Sequence, residues 1–138
     1  MRQDKLTTKF AQALGDAQSI ALGRDHPYIE PVHVLAAMLT QDEGPRALLE
    51  RAGVKLGHLE AAVEAGLKKL PQVQGQEQIQ IGPDLTRLLQ ATEKEAIKRG
   101  DAYIAAELFL LACADHKGDV GRMARESGMT RSLSLIHI

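Results

Sequence analysis

Arg24-Asp25-His26-Pro27-Tyr28-Ile29-Glu30-Pro31-Val32-His33-Val34-Leu35 returns 75 residues later as Arg99-Gly100-Asp101-Ala102-Tyr103-Ile104-Ala105-Ala106-Glu107-Leu108-Phe109-Leu110. Adding 75 to a position in 6–54 reaches its counterpart in 81–129 without a gap. Leu14, Ala21, Arg24, Tyr28, Ile29, Leu35, Ala37 and Gly53 meet identical residues at 89, 96, 99, 103, 104, 110, 112 and 128. Phe10 meets Leu85, Leu22 meets Ile97, Val34 meets Phe109 and Leu48 meets Met123, so apolar positions answer apolar ones. The unbroken register, the shared Tyr-Ile pair and the shared closing Gly point to a duplicated unit. Such a unit buries its apolar face by stacking on its copy.

Within the first unit the apolar spacing is helical. Positions 6, 10, 13, 14, 17, 20 and 21 form one stripe, closed by Gly23. Pro31 stands at a first helical position, with Val32, Leu35, Ala36 and Leu39 behind it. Gly44-Pro45 opens a third helix, which Gly53 stops. A fourth runs from Leu56, with Leu59, Val63, Leu67 and Leu70 on one face, until Pro71 breaks it. Residues 72–80 alternate Gln72, Gln74, Gln76, Gln78 and Gln80 with other types and read as an exposed connector. A lone alternating polar segment forms no sheet without a partner. Helical spacing resumes at Pro83 and runs to Gly100, then from Ala106 to Asp115, then from Val120 to Ser127. The fold class is therefore all-α, two pseudo-symmetric four-helix repeats packed as one domain: 1–70, a connector at 71–80, and 81–130.

By the same shift a fourth helix of the second repeat is expected near 131–144. Residues 131–138 instead end in Leu133-Ser134-Leu135-Ile136-His137-Ile138, which lack helical amphipathicity. They match the in-frame translation of a transposon-library sequencing adapter. The expectation is a non-native-looking tail, the alternative being a natural but unusual one, with that last helix missing or disrupted.

A chain of 138 residues is the size of one domain. With 3% aromatics and no Trp, its core must be built from Ala, Leu, Ile and Val. The net charge of −1 offers no electrostatic reason for a nucleic acid or an anionic membrane as partner. A single cysteine, Cys113, forbids an intrachain disulfide and suits a reducing compartment. The N-terminus has no apolar signal region, no run is long enough to span a membrane, and a cytoplasmic location is expected.

Two stretches carry a family resemblance. Met1-Arg2-Gln3-Asp4-Lys5-Leu6-Thr7-Thr8-Lys9-Phe10, continued through Gly23 to Leu35, resembles the start of the ClpB-type disaggregases of the Clp ATPase family. Lys98 to Ala112 resembles the corresponding segment of their second repeat, and Leu70-Pro71-Gln72-Val73 between them also matches. The resemblance covers about residues 1–130. It implies the N-terminal Clp repeat domain of a hexameric, ATP-driven machine that extracts polypeptides from aggregates with the DnaK system. Its partners would be unfolded or aggregated polypeptides and the rest of the hexamer. The chain contains no Gly-x-x-x-x-Gly-Lys-[Ser/Thr] phosphate loop, so no cofactor is expected here. ATP and magnesium would belong to AAA+ modules of the parent, and the fragment itself is expected not to be an enzyme.

The resemblance also puts substrate handling on Thr7, Asp101 and Glu107. Each has a plain structural alternative: Thr7 as a helix cap, Asp101 as part of the turn after Gly100, Glu107 as a favourable charge in a first helical turn. A shallow apolar groove suits weak, sequence-indifferent binding of unfolded segments, and Leu88, Leu89 and Leu108 are its candidates. Their alternative is the core. The polar run Thr92-Glu93-Lys94-Glu95 would make such a groove smaller or displace it. An adaptor-docking or interdomain module without substrate contact needs the same kind of patch. Cys113 and His116, three apart on a helix, supply too few ligands for zinc and no orienting third group for a nucleophile. His33 reads as a hydrogen-bonded helix residue, and Cys113 as a small core residue.

Overall fold

A computed structural model of the protein describes residues 3–41, 44–75 and 78–129. After a short 3-10 turn at Gln3–Lys5 come α1 (Thr8–Gly23), β1 (Tyr28–Ile29), α2 (Pro31–Leu39), α3 (Pro45–Arg51) and α4 (Leu56–Lys69). The second repeat supplies β2 (Gln80–Ile81), α5 (Pro83–Arg99), α6 (Ala106–Asp115) and α7 (Asp119–Glu126). Residues 130–138 lie outside the described residues, and so does the expectation of a non-native tail.

Prolines set three of these starts. Pro31, Pro45 and Pro83 occupy first helical positions, where the missing N–H costs nothing and φ is already helical. The helix ends repeat as well. Gly100, in the left-handed region at φ 73°, closes α5 with Gly100 N–H to Ile97 O and Asp101 N–H to Ala96 O, both at 3.0 Å. Subtracting 75 gives Asp25, at φ 59°, closing α1 with Asp25 N–H to Leu22 O and His26 N–H to Ala21 O. Gly53 and Gly128, at φ 82° and 91°, end α3 and α7 in the same way.

The 72–80 segment departs from the expectation. Its last residue does find a strand partner: Gln80 and Ile81 pair in parallel with Tyr28 and Ile29. Two-residue strands carry no readable period, and the partner lies 52 positions away, so only tertiary packing shows it. A second parallel bridge joins Leu6 to Ile104. The 75-residue shift turns one bridge into the other, Ile29 becoming Ile104 and Ile81 becoming Leu6. Gly82 N–H to Ile29 O (3.1 Å) and Thr7 N–H to Ile104 O (3.0 Å) are likewise counterparts. Each repeat thus gives the other what it receives, which is the mark of a two-fold relation.

The core is continuous through both repeats. Phe10 and Phe109, with ring centroids 5.7 Å apart, meet across it. The fourth helix, α4, packs on α2 of its own repeat and on α7 of the other. Gly66 permits that approach, since a Cβ there would come within 2.5 Å of the Met123 terminal methyl. Lys55 N–H donates to Ser127 O at 2.9 Å and fastens the same junction. Among the described residues no helix is long and apolar enough to cross a membrane.

Candidate functional site

The Leu6–Ile104 bridge brings Thr7 to the middle of the 101–107 segment, between Asp101 and Glu107 in sequence. Thr7 is the N-cap of α1, its Oγ1 accepting the Phe10 N–H at 3.3 Å. Asp101 is exposed, takes part in the turn after Gly100 through its backbone, and lines a small hollow with Lys5, Glu93, Ile97 and Ile104. Glu107 is half-buried in the first turn of α6. All three therefore have a local structural job. Asp101 also faces an open surface.

The three leucines do not form one surface. Leu88, Leu89 and Leu108 are 2%, 6% and 1% exposed and belong to the core. Leu88 shows an edge to a hollow of about 380 Å³ between α5 and α6, whose walls include Arg87, Glu95, Asp115 and Lys117. Leu89 shows an edge to a separate groove between α1 and α5. Leu108 lines neither. A helical stripe tells that a face is covered but not which neighbour covers it, so sequence placed these residues on a groove that most of their surface does not reach.

The α1–α5 groove holds about 500 Å³. Its floor and walls are Ala11, Leu14, Gly15 and Gln18 of α1, Leu85 and Leu89 of α5, and Leu6, Ile29, Ile79 and Ile81 around the two bridges. No described residue of that lining is charged. Ile81 is 50% exposed, a large apolar side chain open to water at the rim. Leu6, Leu14, Ile29, Ile79 and Ile81 were not singled out from sequence. The signal that could have found them is the 75-residue shift, which pairs Leu6 with Ile81 and Leu14 with Leu89.

On either side of β1 in sequence, His26 and His33 form a buried pair. His33 Nδ1 accepts the Glu30 N–H at 2.8 Å, which leaves the proton of the neutral ring on Nε2. His33 Nε2 then donates to His26 Nδ1, also at 2.8 Å. Burial, then the neighbouring His26, hold the His33 pKa down to about 4, and burial lowers that of His26 too. Both rings are neutral at pH 7, and His33, fully buried, meets no ligand. Glu30 is pushed up by burial and by Asp84, and its Oε1 has no hydrogen-bond partner.

Cys113 is buried, and burial raises its pKa far above the usual thiol range, so no thiolate is available. His116 Nε2 stands 3.0 Å from Asp84 Oδ1, an ion pair only when the imidazole is protonated. Among the described residues no three His, Cys, Asp or Glu side chains gather closely enough to hold a metal ion.

The fold is an all-α double repeat whose halves are joined by reciprocal strand bridges, with an uncharged groove between α1 and α5. Residues 5–127 match the Clp repeat (R) N-terminal domain, and the chain belongs to that family, in its ClpB branch. It is 43% identical over 132 residues to the chaperone protein ClpB of Vibrio vulnificus strain YJ016, covering 94% of this chain and 15% of that protein. It is 44% identical over 132 residues to ClpB of Vibrio cholerae, with the same two shares. The chain thus spans about 15% of the length of these curated relatives. Among solved structures, the Hsp104 N-terminal domain from Candida albicans superposes with a TM-score of 0.81 at 22% identity, covering 94% of this chain and 85% of that one. A ClpV N-domain in complex with a VipB peptide gives 0.75 at 19%, covering 96% and 87%. At such identities the likeness is one of fold.

Proposed function

We propose that this chain is the substrate-recognition domain of an ATP-driven ClpB-type chaperone, and that it holds exposed apolar segments of unfolded or aggregated polypeptides in the α1–α5 groove. The observation that carries this reading is the uncharged lining, open to water at Ile81. An apolar side chain entering it leaves water, at about 25 cal/mol per Å². A charged one would be desolvated with no partner. The energy source, ATP with magnesium, is assigned to AAA+ modules of the parent hexamer, and hand-over from DnaK to that assembly. Thr7, Asp101 and Glu107 would act from the rim beyond Leu6 and Ile104.

The test is titration of the domain with reduced, unfolded casein. Ile81→Ser should weaken binding several-fold with little change in melting temperature, because Ile81 is half exposed. Unchanged affinity would remove the groove from substrate handling. A second reading, docking of an adaptor segment, draws on the solved N-domain complex with a VipB peptide. It predicts no saturable binding of casein.

A further inference from the structure

We infer that the bound segment lies along the groove as an added strand, pairing its main chain with the open edge of β2 at Ile79 and Ile81. This rests on the groove reading above and names how the segment is gripped. The parallel register sets Ile29 opposite Ile81, and Gly82 N–H donates to Ile29 O at 3.1 Å. In a parallel ladder a residue bonds to the two neighbours of its partner, so Gln80 and Gly82 turn their main chain towards β1. The N–H and C=O of Ile81 then point the other way. Among the described residues the sheet ends there, in the order β1–β2, with Gln80 and Ile81 both exposed. Ile79 and Ile81, two apart, both line the groove, as alternate residues of an extended chain share a face. Ile79 therefore offers its N–H and C=O on the same open edge.

Exposed edges are ordinarily guarded by a charge or a proline. Gln78-Ile79-Gln80-Ile81 carries neither. The counterpart edge at Leu6 has no such run, since Leu6 stands between the 3-10 turn Gln3–Lys5 and the Thr7 cap of α1. A strand added beside β2 lies about 4.8 Å from it and sets every second side chain next to Ile79 and Ile81. Ile29 of β1 lines the groove too, so the groove continues that face of the sheet. The occupant is an extended, uncharged stretch of unfolded polypeptide. Main-chain N–H and C=O are the same in every sequence, which suits a domain that must hold many different segments. A helical segment closes these groups on itself and leaves the edge to water.

The probe is a capped, uncharged peptide of about six residues, the usual strand length, alternating Val and Ser. Ile81→Pro removes the edge N–H and sets a ring across it, a substitution that edge strands accept where the N–H faces solvent. Ile81→Ala shortens the side chain and keeps the N–H. The proline variant should bind the peptide at least about tenfold more weakly than Ile81→Ala, at a similar melting temperature. Equal affinities for the two folded variants overturn strand addition and leave the groove reading standing. On the unaltered protein, carbon-13 at the peptide carbonyls separates their infrared amide I band from that of the protein. A hydrogen-bonded strand band on binding is expected, whether or not the proline variant folds. A helical or unpaired band overturns strand addition. Saturable binding of casein but not of this peptide also overturns strand addition alone. Absence of both overturns the groove reading, and this inference with it.

Discussion

The two repeats share a backbone and differ in what they place on it. Where the first buries His26 and His33 as a hydrogen-bonded pair, the 75-residue shift puts Asp101 and Leu108 in the second. Where the first caps α1 with Thr7, the second begins α5 after Gly82, which has no side-chain cap. The first closes α1 through Asp25 in the left-handed region, the second closes α5 through Gly100. Duplication has fixed the turns, the helix starts and the apolar floor. It has left the polar positions beside them free to diverge, and Thr7, Asp101 and Glu107 lie at such positions.

The largest difference should be in the core. Phe109 and its counterpart Val34 are both fully buried, but the ring carries more surface and meets Phe10. Phe109→Ala should cost about 3–5 kcal/mol in urea unfolding. Val34→Ala should cost about 2 kcal/mol, at roughly 0.8 per lost methyl group plus a small cavity. Equal losses would mean that the repeats share the load evenly.

Next comes acid. The folded pKa of His33 is depressed from 6.5 to about 4, so unfolding takes up a proton between those values and stability drops as the pH is lowered. The full contribution is present above pH 6.5. About 3 kcal/mol is lost on going down to about pH 4, at about 1.4 kcal/mol per unit. His33→Leu, which installs the side chain of the second repeat, should flatten that slope. At pH 7 the variant should cost about 1–3 kcal/mol, because the Glu30 N–H loses its acceptor. Chemical melts at pH 7.5 and 5 measure both. An unchanged slope in the variant would place the acid sensitivity elsewhere.

Asp25→Gly should stabilise by about 1 kcal/mol, since a side chain at φ 59° carries a steric cost that Gly100 avoids in the second repeat. A destabilised variant would show that the Asp25 carboxylate does more than tolerate its turn. The smallest change is Thr7→Gly, the residue of the counterpart position, expected to cost a few tenths of a kcal/mol against about 1 for Thr7→Ala. Normal casein binding in both would confine Thr7 to capping. The reverse exchange, Gly82→Thr, requires Glu30 to move. A Cβ at Gly82 would lie 2.6 Å from Glu30 Oε1.

Most of the architecture was legible because its signals are local. Pro31, Pro45 and Pro83 announced helix starts, Gly53, Gly100 and Gly128 announced ends, and α4 stopped before Pro71. The repeat itself was legible from one fixed shift. The strand bridges were not, since β1 and β2 are two residues each and pair across the connector. The histidine pair was half legible: His33 was expected to be hydrogen-bonded, but nothing in the sequence names His26 as its partner. The groove was the least legible part. Leu88, Leu89 and Leu108 sit on true apolar stripes, yet burial depends on which helix lies over them.

The two bridges also govern when the domain becomes whole. Leu6 to Ile104 closes a loop of 98 residues (104 − 6) and Ile29 to Ile81 one of 52 (81 − 29). The loop-length part of that closure costs about 4 and 3.5 kcal/mol of chain entropy. Helices and their hairpins form from neighbours in sequence, on much shorter timescales. Three of the four bridging residues, Leu6, Ile29 and Ile81, are walls of the groove. In the order of folding events the groove is therefore assembled late. A chain still short of that step has its helices but not the walls of the groove.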